Sequence, residues 1–305
     1  MKTFYTLILI SFFLTSCQTE QTDLALKLEK GKTYKQISNA KATITQKANG
    51  QEIKMIMTIN GTLSFLVNTV NDTDYSMEAT FDELNMSMQT PQGTMSFSSE
   101  KEDKNDIMSS VFKTMKNKTF GITMSKTGKI VDIKAVNNAW DTAINSMEQL
   151  SDRQKGQLKA QIMKSYGAQV LKDNIEMATA IYPEHGLSTG DTWTINKTIE
   201  SNMHAKMITD YKFVERTPDH ILITGKSAIS TTDKEAYIEF NGVSMKYDLT
   251  GTMTSKIKVD NNTGWIIEAN MDQEIKGDAF IKENDRMPNG MTIPMYLTNI
   301  TTITN

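Results

Sequence analysis

A single cysteine, Cys17, in 305 residues excludes any intrachain disulfide, so an exported form of this chain must be held together by apolar burial. The three histidines, His185, His204 and His220, fall in unrelated local contexts. No nucleophile elbow, Walker loop, dinucleotide fingerprint or His-Glu-x-x-His pair occurs. The chain therefore reads as non-catalytic and without a cofactor, a triad assembled from distant residues being the enzymatic alternative left open. Asp72-Thr73-Asp74 and Asp260-Asn261-Asn262 do not run on to the bidentate Glu that closes a calcium loop, and turn chemistry explains both, so no metal site is read. Neither sign of charge dominates: 33 Lys and Arg are interleaved with 36 Asp and Glu for a net charge of −3, which argues against nucleic acid as a partner. Also missing is an apolar run of the roughly 20 residues that a membrane-crossing helix needs.

The most apolar stretch, Phe4 to Leu14, follows Lys2 and has the length of a signal-peptide core. Leu14-Thr15-Ser16-Cys17 comes directly after it and resembles the bacterial lipobox. That resemblance implies a signal peptide over 1–16, lipid on Cys17, and a mature protein tethered to a membrane. Gln18 rather than Asp after the cysteine favours the outer membrane over inner-membrane retention. Residues 17–30 are expected to be the lipidated N-terminus and spacer, and 31–305 a single domain. In it a helical segment, 136–183, joins two β-rich halves, 31–135 and 190–305.

Alternation of period two begins at Tyr34. A two-residue turn at Asn49-Gly50 predicts Gln46 opposite Ile53, Ile44 opposite Met55 and Ala42 opposite Met57. Ile53, Met55, Met57, Ile59, Leu63, Phe65 and Val67 then keep one parity, which a reversal at Asn60-Gly61 would break. Gly61 is thus read as a bulge or bend in one long strand. Tyr75 to Phe81 and Leu84 to Met88 read as two short strands, and Met95 with Phe97 as another. A hairpin at Thr127-Gly128 predicts Met124 facing Val131, Ile122 facing Ile133 and Phe120 facing Ala135.

Helical spacing marks Ile107 to Met115, Val136 to Met147, a helix opened by the capping box Ser151-Asp152-Arg153-Gln154 and ended near Gly167, and a run from Val170 that stops at Tyr182-Pro183. Gly190-Asp191-Thr192-Trp193 echoes Gly31-Lys32-Thr33-Tyr34, and Thr263-Gly264 echoes Thr127-Gly128. Duplication and a generic meander both produce such echoes. A five-residue loop from Asp260 to Gly264 predicts Val259 opposite Trp265, Ile257 opposite Ile267 and Met253 opposite Met271.

The predicted architecture is α+β: curved antiparallel β-sheets, with two duplicated halves in an open or partly closed barrel as one form of it, and central helices packed on the concave face. The 21 methionines suit such a core better than copper(I) ligation, and methionine also lines surfaces that accept varied apolar partners. Candidate lining residues for an apolar ligand are Met55, Met57, Phe65, Met77, Met86, Met88, Met124, Met253 and Met271, with Met95 expected to point inward beside them.

Lipobox, long antiparallel strands, paired helices ending in Tyr182-Pro183, then Gly190-Asp191-Thr192-Trp193 and more strands: this order resembles a cell-envelope lipoprotein family of unknown function common in Bacteroidetes, over most of Tyr34 to Gln273. The resemblance implies no activity. At the level of fold, a curved sheet with helices on its concave side is similar to lipoprotein carriers of the LolA, LolB and LppX type, which hold acyl chains in such a cavity. The expected function is binding of a lipid or other hydrophobic small molecule between sheet and helices. A structural or assembly role with an envelope protein as partner is the alternative.

Overall fold

The computed structural model describes residues 23–48, 50–103, 105–200, 204–240, 243–284 and 287–305. Cys17 and the proposed signal peptide lie outside them. Among the described residues thirteen strands form one antiparallel sheet in the order β6-β5-β3-β2-β1-β13-β12-β11-β9-β8-β7, with β4 beside β3 and β10 beside β11. The longest are β1 (Thr33–Ala48), β2 (Gln51–Val70), β3 (Asp74–Thr90), β11 (Val243–Asp260), β12 (Ile266–Ile281) and β13 (Met291–Thr304). Flanking them are β4 (Gly93–Ser98), β5 (Thr119–Ser125), β6 (Ile130–Lys134), β7 (Thr192–Ile199), β8 (Ala205–Arg216), β9 (His220–Thr231) and β10 (Ile238–Phe240). The chain meanders from β1 out to β6 and from β7 back to β13, where the first and last long strands pair from Ile37–Thr304 to Gln46–Met295. The sheet is curved and does not close into a barrel, because β6 and β7 are left as free edges.

The β1–β2 hairpin has the predicted register at all three pairs, and Asn60 continues the strand opposite Asn39. The bend falls beside Gly61 but the extra residue is on the neighbouring strand: Thr62 pairs with Glu83 and Leu63 with Phe81, leaving Asp82 bulged. That bulge switches the parity of β3. Tyr75, Met77, Ala79 and Phe81 face inward before it, and Leu84 and Met86 after it. What reads as two short strands is therefore one strand of 17 residues. Two further predicted registers are corrected for the same reason. Met124 pairs with Ile130, since Val131 is squeezed out of the ladder and is 62% exposed, while Ile122 does face Ile133. Asp260 closes a shorter turn on Trp265, Val259 pairs with Ile266, and Ile267 is bulged, so Met253 lies opposite Gln273 and Ser255 opposite Met271. Met95, at the edge, is 50% exposed.

Helices α1 (Ile107–Met115), α2 (Val136–Asn145), α3 (Asp152–Tyr166) and α4 (Ala168–Thr179) pack on the inner face of the sheet in one continuous apolar core. Asp106 caps α1 through Ser109 N at 3.0 Å, and Gln154 Oε1 accepts from Ser151 N at 3.0 Å at the start of α3, as the capping box requires. All three tryptophans pin segments by donating to backbone carbonyls. Trp140 reaches Tyr166 O, Trp193 reaches Ile181 O and Trp265 reaches Lys35 O. Leu24, Leu26 and Leu28, expected in the spacer, are buried in this core. Their backbone is tied to the hairpin turns at one end of the sheet, Leu26 N to Lys126 O and Lys27 N to Thr263 O. That end is plugged.

The two G-x-T-aromatic openings are built alike. Gly31 N donates to Val67 O and Val67 N to Lys32 O, while Gly190 N donates to Phe213 O and Phe213 N to Asp191 O.

Asp106 also gives a pH signature. Burial resists its ionisation, but Lys101 at 2.7 Å and two bonds from Ser109 outweigh this and hold the carboxyl below its ordinary value of 3.8. The unfolded chain then binds the proton more readily, so the contribution is full above about pH 4 and is lost as pH falls through the folded-state value. Asp106→Asn, which can still cap, should lose less stability between pH 4 and pH 2 than the parent in denaturant titrations. Parallel losses would contradict this.

Candidate functional site

Inward positions on β1 are Tyr34, Gln36, Ser38, Ala40 and Ala42, and from Ser38 onward three successive side chains are short. They face Gly61, Ile59 and Met57 on β2, and Ile303, Thr301 and Asn299 on β13. A strand with so little bulk at the centre of a concave sheet cannot fill the space under the helices. A cavity of about 330 Å³ results, roofed by α4 and the end of α3. This lies at the small end of the ~300–1,000 Å³ range of ligand pockets. Its apolar wall comes from Met57, Ile59, Leu63, Phe81 and Leu84 on one flank, from Leu171, Ile175 and Met177 above, and from Met271, Leu297 and Ile303 on the other flank. Gln36, Ser38, Gln273, Asn299 and Thr301 form a polar stripe along the floor. Beyond Ala42 and Met57 the inward side chains Ile44, Met55, Tyr247 and Met295 are only half-buried, so the cavity opens away from the plugged end.

Three lining residues carry a buried polar atom with no partner among the described residues: Gln36 and Tyr166 at inward positions, and Asn60 at an outward position of β2 opposite Asn39. Gln36 is 6% exposed with Oε1 unsatisfied, and Tyr166 is 8% exposed with its hydroxyl unsatisfied. The Tyr166 ring is fixed between Phe112 and Trp140, each 5.4 Å away between centroids, and burial drives its hydroxyl pKa far upward.

The roof is fastened by α4, which bridges the two free sheet edges. Glu176 Oε1 accepts from Ile130 N of β6 at 2.8 Å, while Oε2 lies 3.4 Å from Lys197 Nζ of β7. Both side chains are about nine-tenths buried, at 10% and 11% exposure. Lys197 also donates to Asp173 O at 2.8 Å, and burial holds its pKa below the ordinary lysine value against the pull of Glu176 and Asp173. Thr179 Oγ1 donates to Gly128 O at 2.7 Å. Gly128 has φ +81°, and a Cβ there would lie 1.8 Å from Thr179 O, so only glycine fits the contact.

Of the residues singled out from sequence, Met57 and Met271 line the cavity. Phe65, Met77, Met86, Met124 and Met253 are buried in packed core outside it, and Met55 and Met88 are half-buried toward the open end. Missed were the floor residues of β1, the polar stripe of β13 and the α4 roof. The signal available was the inward parity of Gln36, Ser38, Ala40 and Ala42, too small and too polar for a filled core. The histidines lie apart: His185 is exposed in a turn, His204 bonds Glu200, and His220 bonds Thr217. Among the described residues no group of three or more His, Cys, Asp or Glu is placed to hold a metal, and no helix is long and apolar enough to cross a membrane.

A family model described as a family of unknown function (DUF6263) matches residues 72–266, more than half of the sequence. The chain belongs to this family. The matched segment holds all four helices, whereas the cavity floor on β1, β2 and β13 lies outside it. No curated protein matches. Among solved structures, lipovitellin, described for its lipid–protein interactions, is similar at a TM-score of 0.50 and 11% identity over 90% of this chain. This chain spans a quarter (25%) of that one. The likeness is one of fold. An outer membrane channel from Pseudomonas putida F1 covers 92% of this chain and 97% of its own at 9% identity, with a TM-score of 0.26, too low to carry an argument.

Proposed function

We propose that this protein is a non-catalytic, lipid-anchored envelope protein that holds a lipid or other apolar ligand between the sheet and α3–α4. The observation that carries the reading is the cavity of about 330 Å³, apolar on its flanks and roof and open at one end. A dry void of this size would forfeit the dispersion contacts that a close-packed interior makes. An apolar ligand restores them and adds roughly 25 cal/mol for each Å² it removes from water. The fold shared with lipovitellin, described for lipid–protein interactions, supports the same reading.

The anchor fits this geometry. Lipid on Cys17 is separated by five residues from Asp23, a reach of at most ~20 Å, and the chain enters the body at the plugged end. The cavity mouth then faces away from the anchoring bilayer, the outer membrane in our reading. Diphenylhexatriene, dark in water and fluorescent in apolar surroundings, tests the pocket in the full chain carrying Cys17→Ser. Saturable enhancement at one site per chain is expected. Absence of enhancement would contradict the reading.

A further inference from the structure

We propose that the ligand is an amphiphile whose inner end is a neutral hydrogen-bonding group, a hydroxyl, ester or amide, held between Gln36 and Tyr166. This deepens the cavity reading above and rests on it. A pocket for pure hydrocarbon has no use for polar atoms, and an unsatisfied buried polar atom is costly. Here two that face inward are unpaired, one from the sheet and one from the helical roof, and each belongs to a side chain more than nine-tenths buried. Both are held in place. Gln36 stands opposite Leu63 within the β1–β2 ladder, and Tyr166 is wedged between two aromatic rings. The Gln36 amide can both accept and donate, and the Tyr166 hydroxyl, kept protonated by burial, can do the same.

The charge pattern decides the class of head group. Among the lining residues there is no Lys, Arg or His, and the one carboxylate, that of Glu83, accepts from Asn85 Nδ2 on the outer face of the sheet. A carboxylate or phosphate brought to Gln36 would lose its hydration with no cation to replace it. A neutral head loses far less and satisfies both orphan atoms. The tail then runs along Ala40, Ala42, Met57 and Ile59 toward the open end.

Monolaurin and laurate share one tail and differ in the head, so they separate the terms. Each is titrated against bound diphenylhexatriene in the Cys17→Ser chain at neutral pH. Monolaurin should displace the probe at a concentration about tenfold or more below laurate. Gln36→Leu and Tyr166→Phe should each shrink that advantage several-fold, read as the ratio of the two displacement concentrations within each variant so that any change in its affinity for diphenylhexatriene cancels. Tyr166→Phe removes one hydroxyl and so preserves the packing should Gln36→Leu fail to fold. Equal displacement by the two amphiphiles, or an advantage untouched by both substitutions, overturns the neutral-head assignment and leaves the cavity reading standing. Failure of diphenylhexatriene itself to bind overturns both.

Discussion

Glu176→Ala should destabilise the protein by about 3–5 kcal/mol, because it strands a buried cation and a backbone donor together. Lys197 is nine-tenths buried and its ammonium has this carboxylate as its ionic partner, the remaining bond being to the carbonyl of Asp173. The same carboxylate accepts from Ile130 N, the first residue of an edge strand. Removing it leaves Lys197 in a low-dielectric seam with half of its compensation gone, and uncouples α4 from β6. The double variant Glu176→Ala with Lys197→Met separates the two losses. It removes the buried charge and keeps an apolar stem of similar length, so it should recover most of the stability and retain about 1–3 kcal/mol of deficit from the unsatisfied Ile130 amide. Urea midpoints for the parent, the two single variants and the double variant give the coupling directly. A Glu176→Ala protein as stable as the parent would mean that the two sheet edges are not joined through α4.

How far the sequence carried the fold depended on whether period-two parity survived along each strand. Where no residue was inserted, as at Ile44–Met55 and Ala42–Met57, register followed from the turn residues alone. Where one was bulged out, at Asp82, Val131 or Ile267, the parity switched and the predicted partner shifted. A bulge is set by how two strands fit, so it is invisible in either strand alone. Both ends of α3 were legible because capping and breaking residues act locally, the Ser151–Gln154 box at its start and Gly167 at its stop, whereas α4 ends at Thr179, three residues short of Tyr182.

The site was less legible than the fold, for a related reason. Methionine parity marks an inward face and does not tell a filled core from an open one, so Met77 and Met124 read the same as Met57. Space is made by residues that are small, and Ser38, Ala40 and Ala42 announce it only once β1 is known to lie at the centre of the sheet between β2 and β13. The pairing of the first long strand with the last is a contact across almost the whole sequence. No local pattern reports it.

Filling the cavity tests the whole account most directly. Ala40→Leu with Ala42→Leu puts two branched side chains into the floor, on inward positions that line the space and touch neither Gln36 nor the α4 clasp. The double variant should keep or gain up to about 2 kcal/mol of stability, as cavity-filling substitutions do. It should also lose diphenylhexatriene binding by about tenfold or more, since the probe and the new side chains need the same volume. The measurement is one fluorescence titration of parent and variant beside their urea midpoints. Binding lost with stability intact is the predicted result, and binding unchanged in a stably folded variant would contradict it.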